Sequence, residues 1–280
     1  MHSKPLVLVL SVLWLLCGCA ATVRQDAGKS VLWVSRKQAK DFLRVIGHTN
    51  VSPIVSRDSK GEYLFFRFEN AQGHHVAIVS ANGVTVKDLP GRARLNDDAA
   101  PVFWVQDSTK TIHFANGDIL PTNVHTLNLI SDGRFVVMFD SSSLWIADVS
   151  APMKALVTFP GDARVQKVWS RGDRLHVFMK GQPEGRPRRD GWAILKRYEY
   201  TIEGGTARLV QTQDFDFTWQ VFDFDPETNL MVSRSWDDMF PRAWLVDTAS
   251  GRRKNLGFAR GYAFLLKTPV IERFQEIFNN

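Results

Sequence analysis

The feature that most limits what this chain can fold into is a strand that recurs with its turn attached. LWIADVSA (Leu144 to Ala151) and AWLVDTASG (Ala243 to Gly251) both run tryptophan, two aliphatic or small residues, aspartate, then a turn. HVAIVSANG (His75 to Gly83) keeps the apolar alternation and the turn, with Ser80 where the aspartate falls. RYEYTIEGG (Arg197 to Gly205) keeps the alternation and the glycine turn. Upstream of each lies a polar turn running into another strand: SRDSKGEYLFF from Ser56, SDGRFVVMF from Ser131, SRGDRLHVF from Ser170 and DPETNLMVS from Asp225. Alternation with period two, bounded by Gly, Asp, Asn and Ser, is strand chemistry. Self-similarity spaced by tens of residues marks a repeat architecture whose units bury their faces on one another. The aspartate is placed to accept hydrogen bonds from backbone N–H groups of the following turn, and the tryptophan to pack between units.

Four units can be delimited, at about 50–90, 123–160, 165–213 and 216–258, and PVFWVQDSTKTIHFANGD (Pro101 to Asp118) supplies at least two more strands as a degenerate fifth. Tyr262 to Ile271 has the pattern of an innermost strand, and Ser30 to Val34 can pair with it or with a neighbour. Closure by strands from both ends removes exposed sheet edges. The order polar turn, strand, loop, strand with aspartate, hairpin, last strand resembles one blade of a β-propeller of the WD40-like or TolB-like kind. The resemblance implies an all-β fold: a propeller of about five to six four-stranded blades, some degenerate, within a domain spanning 31–280. A short amphipathic helix precedes the blades, with Ser35 as N-cap, Ala39, Phe42, Leu43 and Ile46 at helical spacing and Gly47 as terminator. Its apolar stripe reads as a lid over the core.

The first residues bear on location. One basic side chain, Lys4, precedes an apolar run from Leu6 to Leu16 broken only by Ser11, and polar Arg24, Gln25 and Asp26 soon follow. A spanning helix needs about 20 apolar residues, so the run reads as a signal-peptide core. Both cysteines of the chain lie here, in LWLLCGCA (Leu13 to Ala20). Leu16, Cys17, Gly18 and Cys19 resemble the bacterial lipobox. That resemblance implies a lipoprotein signal peptide over 1–18, a mature N-terminus at Cys19 carrying a thioether-linked lipid, and a lipidated tether over 19–30. An ordinary secretory signal cut near Ala20 or Ala21, or an uncleaved anchor, is the alternative reading. The absence of any later cysteine is unlike a disulfide-stapled secreted protein. About three acyl chains, each buried methylene contributing about 0.8 kcal/mol, would make the attachment permanent. Ala20, in place of aspartate, fits the sorting pattern for the outer membrane, facing the periplasm. Fully extended, the polar segment AATVRQDAGKS would reach at most about 35 to 40 Å.

With 35 basic and 29 acidic residues, the formal charge of +6 is too dilute to argue for nucleic acid, although it would add attraction to anionic headgroups. Two segments stand out. GQPEGRPRRDGW (Gly181 to Trp192) carries Arg186, Arg188 and Arg189, whose guanidinium groups suit bidentate contacts to phosphate or carboxylate. SRSWDDMFPR (Ser233 to Arg242) carries Trp236, Asp237, Asp238 and Arg242. Its adjacent carboxylates could bind a cation or act on a glycan, but neighbours in an extended chain point to opposite sides. A solvated loop is the plain alternative for both segments. His74 and His75 face opposite ways on a strand, and His113, His125 and His176 are single, so no metal site is expected. SRDSKGEY lacks the closing tryptophan of a sialidase-type aspartate box, and no nucleophile elbow, zinc-protease helix or phosphate loop occurs. No cofactor is implied. The expected function is a lipid-anchored scaffold or docking protein for an envelope assembly or export system, with a membrane contact through its lipid and a protein partner. The rival is a glycan-active hydrolase or lyase with its site at the propeller axis. A third reading is a binding module for a small anionic envelope component, taken up by the arginine loop.

Overall fold

The computed structural model describes residues 22–24, 29–106, 108–109, 111–120, 125–129, 134–160, 163–181, 194–215, 218–235, 242–259 and 261–279. For 22–24, 125–129, 181, 194, 218–219 and 279 it describes the backbone alone. Five sheets follow one another along the chain, each a run of antiparallel sequence neighbours. The first holds β3 (Ile54–Arg57), β4 (Leu64–Asn70), β5 (Gly73–Ser80) and β6 (Gly83–Leu89). The second holds β7 (Arg92–Leu95), β8 (Pro101–Val105) and β9 (Ile112–Phe114). The third holds β10 (His125–Leu129), β11 (Phe135–Phe139), β12 (Ser143–Asp148) and β13 (Ala155–Pro160). The fourth holds β14 (Arg164–Arg171), β15 (Arg174–Gly181), β16 (Ile194–Glu203) and β17 (Thr206–Phe215). The fifth holds β18 (Thr218–Asp225), β19 (Leu230–Ser235), β20 (Arg242–Asp247) and β21 (Arg253–Phe258). The first strand of each sheet is innermost, and first strands of neighbouring sheets touch, β10 on β14 and β14 on β18. This is an all-β propeller.

A different kind of sheet closes the ring. β22 (Tyr262–Lys267), from the end of the chain, pairs antiparallel with β2 (Lys29–Val34), from its beginning, Val31 opposite Leu265. β1 (Thr22–Arg24) pairs on the far side of β2. β22 lies between β18 and β3. Of the expected five to six blades, some degenerate, five are present, four of them four-stranded and the degenerate one, β7–β9, three-stranded; a sixth blade is not, the closing sheet having three strands among the described residues. The polar segment after Cys19 is also not free along its whole length, since Thr22–Arg24 and Lys29–Ser30 are paired strand. Edge pairing needs only backbone donors and acceptors, so composition alone does not exclude it.

The apolar core is layered between sheets. Phe103, Phe114, Met138 and Trp145 fill the space between the second and third sheets, and Phe135, Ile146, Val168 and Val177 that between the third and fourth. Trp169, Phe178, Phe215 and Phe224, with Trp244 against them, join the fourth to the fifth. Trp33, Val232 and Leu265 join the fifth to the closing sheet. Trp145 and Trp244 thus pack between blades, as their shared position in the repeat predicts, and Trp145 Nε1 donates to the Pro152 carbonyl at 3.2 Å. The repeat aspartates hold their turns. Asp148 accepts from Ser150 N at 2.9 Å, and Asp247 from Ala249 N at 3.0 Å and Ser250 N at 3.3 Å. Burial alone would raise the Asp148 carboxyl, but the Ser150 N–H and hydroxyl together with Arg134 outweigh it and hold it below the usual range.

α1 (Arg36–Val45) forms where Ser35 Oγ accepts from Gln38 N at 3.1 Å while Gln38 Oε1 accepts from Ser35 N at 2.9 Å, a reciprocal capping box. It ends at Ile46 and Gly47, the latter at φ +94°. A second helix, α2 (Thr268–Asn279), takes over where the sequence pattern suggested that the last strand continued to Ile271. Pro269 sits in its first turn, where a missing N–H leaves no intrahelical bond unmade. Val270, Ile271 and Phe274 are buried. Phe42 of α1 and Phe274 of α2 both pack on Phe66 of β4, with ring centroids 4.3 and 5.6 Å apart. The helices therefore cover one side of the first blade and the closing sheet.

Candidate functional site

The innermost strands bring together charged residues that are far apart in sequence. Arg57, the last residue of β3, donates from Nε to Asp223 Oδ2 at 2.6 Å and from Nη2 to Asp223 Oδ1 at 3.0 Å. Its remaining N–H groups reach the carbonyls of Asp58 (2.6 Å), Ser59 (2.8 Å) and Phe224 (2.9 Å). Asp223 also accepts from Leu265 N at 2.7 Å and Phe224 N at 2.9 Å. One fully occupied carboxylate thus ties β3, β18 and β22 together. Burial would lower the Arg57 guanidinium, but Asp223 and then the more distant Asp58 and Asp225 outweigh it and raise it above its ordinary value. Two residues on, Asp225 binds Lys29 of β2 at 2.9 Å and the Thr228 hydroxyl at 2.6 Å. Burial again opposes ionisation there, and Thr228 and Lys29 overcome it, so the carboxyl stays below the usual range.

Further round the ring, Arg94 lies on β7 and Lys167 on β14, each half-buried, and Arg67 of β4 donates to the Ala93 carbonyl at 2.8 Å. The pairing register shifts beside the charged residue in three of these strands: between Arg94 and Leu95, between Val165 and Lys167, and between Val221 and Asp223. A bulge of this kind re-aims the side chain next to it. Burial lowers the Lys167 ammonium, with Asp223 opposing and Arg94 and Arg57 adding to the shift. Burial lowers Arg94 as well, and burial together with Arg94 brings Arg67 down to about 9.

At one end of the axis, where the innermost strands finish, lies a cleft of about 490 Å³ lined by Ser59, Lys60, Asp97, Arg171, Asp225 and Lys267 among others. Its charges are largely spoken for. Lys267 meets Glu62 at 2.5 Å, Arg171 meets Glu227 at 3.6 Å, and Asp97 accepts from the Ser59 N–H at 2.7 Å and from the Ser59 hydroxyl. Behind the wall, buried Asp58 accepts from Tyr63 N at 2.7 Å and Lys60 N at 3.1 Å; burial leaves its carboxyl raised. A second cleft of about 520 Å³ lies between Arg134, Asp148, Lys154, Asp173 and Glu203. Together these features can recognise charge, and Asp223 and Asp225 are each held by a cation and by further donors.

No family model matches this chain, and no curated protein does. Among solved structures, similar ones include a functionally unknown protein from Desulfotomaculum acetoxidans (TM-score 0.42, 11% identity, 89% of each chain covered). The β-propeller domain of the Trilobed protease from Pyrococcus furiosus is another (TM-score 0.38, 10% identity, 74% of this chain and 86% of that one). A third is the WD40 domain of SCAP from fission yeast (TM-score 0.35, 10% identity, 86% of this chain and 48% of that one). Likeness at this level carries no statement about activity.

Of the residues singled out in sequence, Cys19, Arg186, Arg188, Arg189, Trp236, Asp237 and Asp238 lie outside the described residues. Arg242 opens β20, exposed, opposite Phe258 of β21. The segments that hold the others are joined to described strands in equivalent places: 182–193 connects β15 to β16 and 236–241 connects β19 to β20. β15 and β19, the second strands of adjacent blades, end, and β16 and β20, the third strands, begin at the end of the ring opposite the axial cleft. The histidines have local roles. His75 contacts Asp88 at 2.8 Å and Asn70 at 2.9 Å, and His113 stacks on Trp104. What sequence reading missed is the charged set, Lys29, Arg57, Arg67, Arg94, Lys167, Asp223 and Asp225. The signal was a charged residue within or at the end of short strands otherwise rich in apolar residues.

Proposed function

We propose that this chain is a lipid-anchored docking propeller on the periplasmic side of the outer membrane, serving an envelope assembly or export system. The observation that carries the reading is the state of the axial carboxylates. Asp223 and Asp225 are each saturated by a cation and by further donors. A glycosidase needs one carboxyl raised as an acid and a second free as base or nucleophile. A carboxylate locked into a structural ion pair serves neither role, which favours a rigid recognition body over the hydrolase or lyase reading. The lipobox-like Leu16 to Cys19 supports the anchor, and the paired strand β1, beginning at Thr22, would hold the body close to it. Two segments leaving adjacent blades at one end of the ring, one with Arg186, Arg188 and Arg189 and one with Trp236, Asp237, Asp238 and Arg242, suit a partner surface with acidic groups.

The test is recovery of the full chain in detergent from cells of its own source, with mass analysis of the N-terminal peptide. The expected result is a lipid mass on Cys19, lost in Cys19→Ser, and co-purifying protein that is lost when Arg186, Arg188 and Arg189 are changed together to Ser. An unmodified N-terminal peptide on a freely soluble product would end the anchor reading. A chain recovered alone would end the docking reading.

A further inference from the structure

The two helices beside the closing sheet carry opposite charge. α1, with the sequence RKQAKDFLRV, exposes Arg36, Lys37, Lys40 and Arg44 against a single acid, Asp41. Lys37 and Arg44 both pair with Asp41, at 2.6 and 3.2 Å, and still keep 85% and 68% of their side-chain surface open to solvent. Arg36 and Lys40 have no ion pair among the described residues. The helix therefore holds three positive charges in excess. α2 holds Glu272 and Glu276 against Arg273, one negative charge in excess.

The first turn of α1 has Arg36 and Lys37 and no acid, the reverse of what the helix dipole favours. Helix stability does not account for that pattern. Ala39, Phe42 and Leu43 on the other face are buried in the core, so a surface outside the protein meets α1 through charge and not through inserted apolar side chains. Where the described chain begins places that charge. Thr22 of β1 lies opposite Leu32 of β2, and Val34, two residues on, leads through Ser35 into α1. Cys19 stands three residues before Thr22, a span of at most about 11 Å. α2, in contrast, leaves β22 after Lys267, whose partner Lys29 marks the other end of the closing sheet. The basic helix thus starts at the end of the sheet nearest Cys19, and the acidic helix at the far end.

We propose that the exposed face of α1 rests on anionic phospholipid headgroups, so that the ring is held with this side against the bilayer instead of swinging on its tether. The proposal deepens the anchor reading and rests on it for placing the membrane beside Thr22. Each basic side chain near an anionic leaflet adds attraction that fades within a screening length, about 10 Å at 0.1 M salt. The three-residue tether is about that long.

The full chain is reconstituted in vesicles of phosphatidylcholine, with and without phosphatidylglycerol, acetylated briefly, and each lysine is read by mass spectrometry. Lys37 and Lys40 should react roughly fivefold more slowly on the anionic vesicles. Lys154, exposed on the third blade, should react alike on both. Sodium chloride at about 1 M, where the screening length is about 3 Å, should restore the two helix lysines. Arg36→Glu combined with Arg44→Gln cancels the excess charge and leaves both lysines as reporters; it should abolish the protection with the circular dichroism spectrum unchanged. Equal reaction of Lys37 and Lys40 on the two vesicles, or protection that survives high salt or the double variant, overturns the proposal. The N-terminal peptide is weighed in the same digest, so the anchor is judged separately. An unlipidated chain that floats with the anionic vesicles alone at low salt, its helix lysines protected, ends the anchor reading and keeps this one; a chain that floats with neither ends both.

Discussion

Asp223 shows how much one side chain can hold in this protein. It accepts from Arg57 twice and from two backbone N–H groups on different strands. Removing one member of a buried pair strands the other, at about 3–5 kcal/mol. Asp223→Ala should therefore lower unfolding stability by about that amount in a urea titration, and Arg57→Met added to it should recover a large part. His176 carries the clearest pH dependence. Burial, opposed by Glu199 and aided by Arg197 and Arg174, brings it down to about 4. Below about pH 6.5 the unfolded chain takes up a proton that the folded chain does not accept until about pH 4. Its contribution to stability is thus complete above about 6.5 and falls as pH drops through that window, by up to about 1.4 kcal/mol per pH unit. His176→Phe should flatten the stability profile over the same range relative to the parent. At this scale the sequence was readable where a residue acts on its neighbours, as Asp148 and Asp247 do on their turns. It was opaque at Arg94 and Lys167, whose meaning comes from other strands.

Among the elements, the closing hairpin of termini is the most tightly fitted. Gly261, just before β22, has φ +75°, and a Cβ there would lie 2.5 Å from the Val34 carbonyl oxygen and 2.8 Å from Ser35 Cα. Both objections are to backbone, which cannot swing aside. Gly261→Ala should cost more than the about 1–2 kcal/mol of left-handed strain alone, seen as a lower thermal midpoint, whereas Gly251→Ala, with nothing within 4 Å of its Cβ, should cost only the strain. The strand order within each blade and the N-cap of α1 could be read from period and turn chemistry. α2 could not, because YAFLLKTPVI runs apolar across the strand-to-helix boundary. Thr268 and Pro269, with Val270, Ile271 and Phe274 at helical spacing, were the signal for a helix start.

Taken as a whole, the molecule is a ring whose apolar layers lie between sheets, so each blade depends on its neighbours. The repeat made that architecture legible, and marked Pro101 to Asp118 as degenerate, where the sheet β7 to β9 has no fourth strand among the described residues. It could not show the axis, which no contiguous stretch of sequence contains. Deleting the chain through Val34 removes β1 and β2, exposes the edge of β22 and leaves Asp225 without Lys29. The shortened protein should lose its single cooperative melting transition and elute as aggregate on size exclusion, while a deletion ending at Ala21 should retain both properties. The clasp between the two ends also sets a timetable. Synthesis from the amino terminus delivers β2 early and its partner β22 only after all five blades, so the ring stays open, with an unpaired strand exposed, until β22 has emerged. Its folding is therefore governed by the arrival of the carboxy-terminal segment, and the open interval is when it most needs protection from self-association.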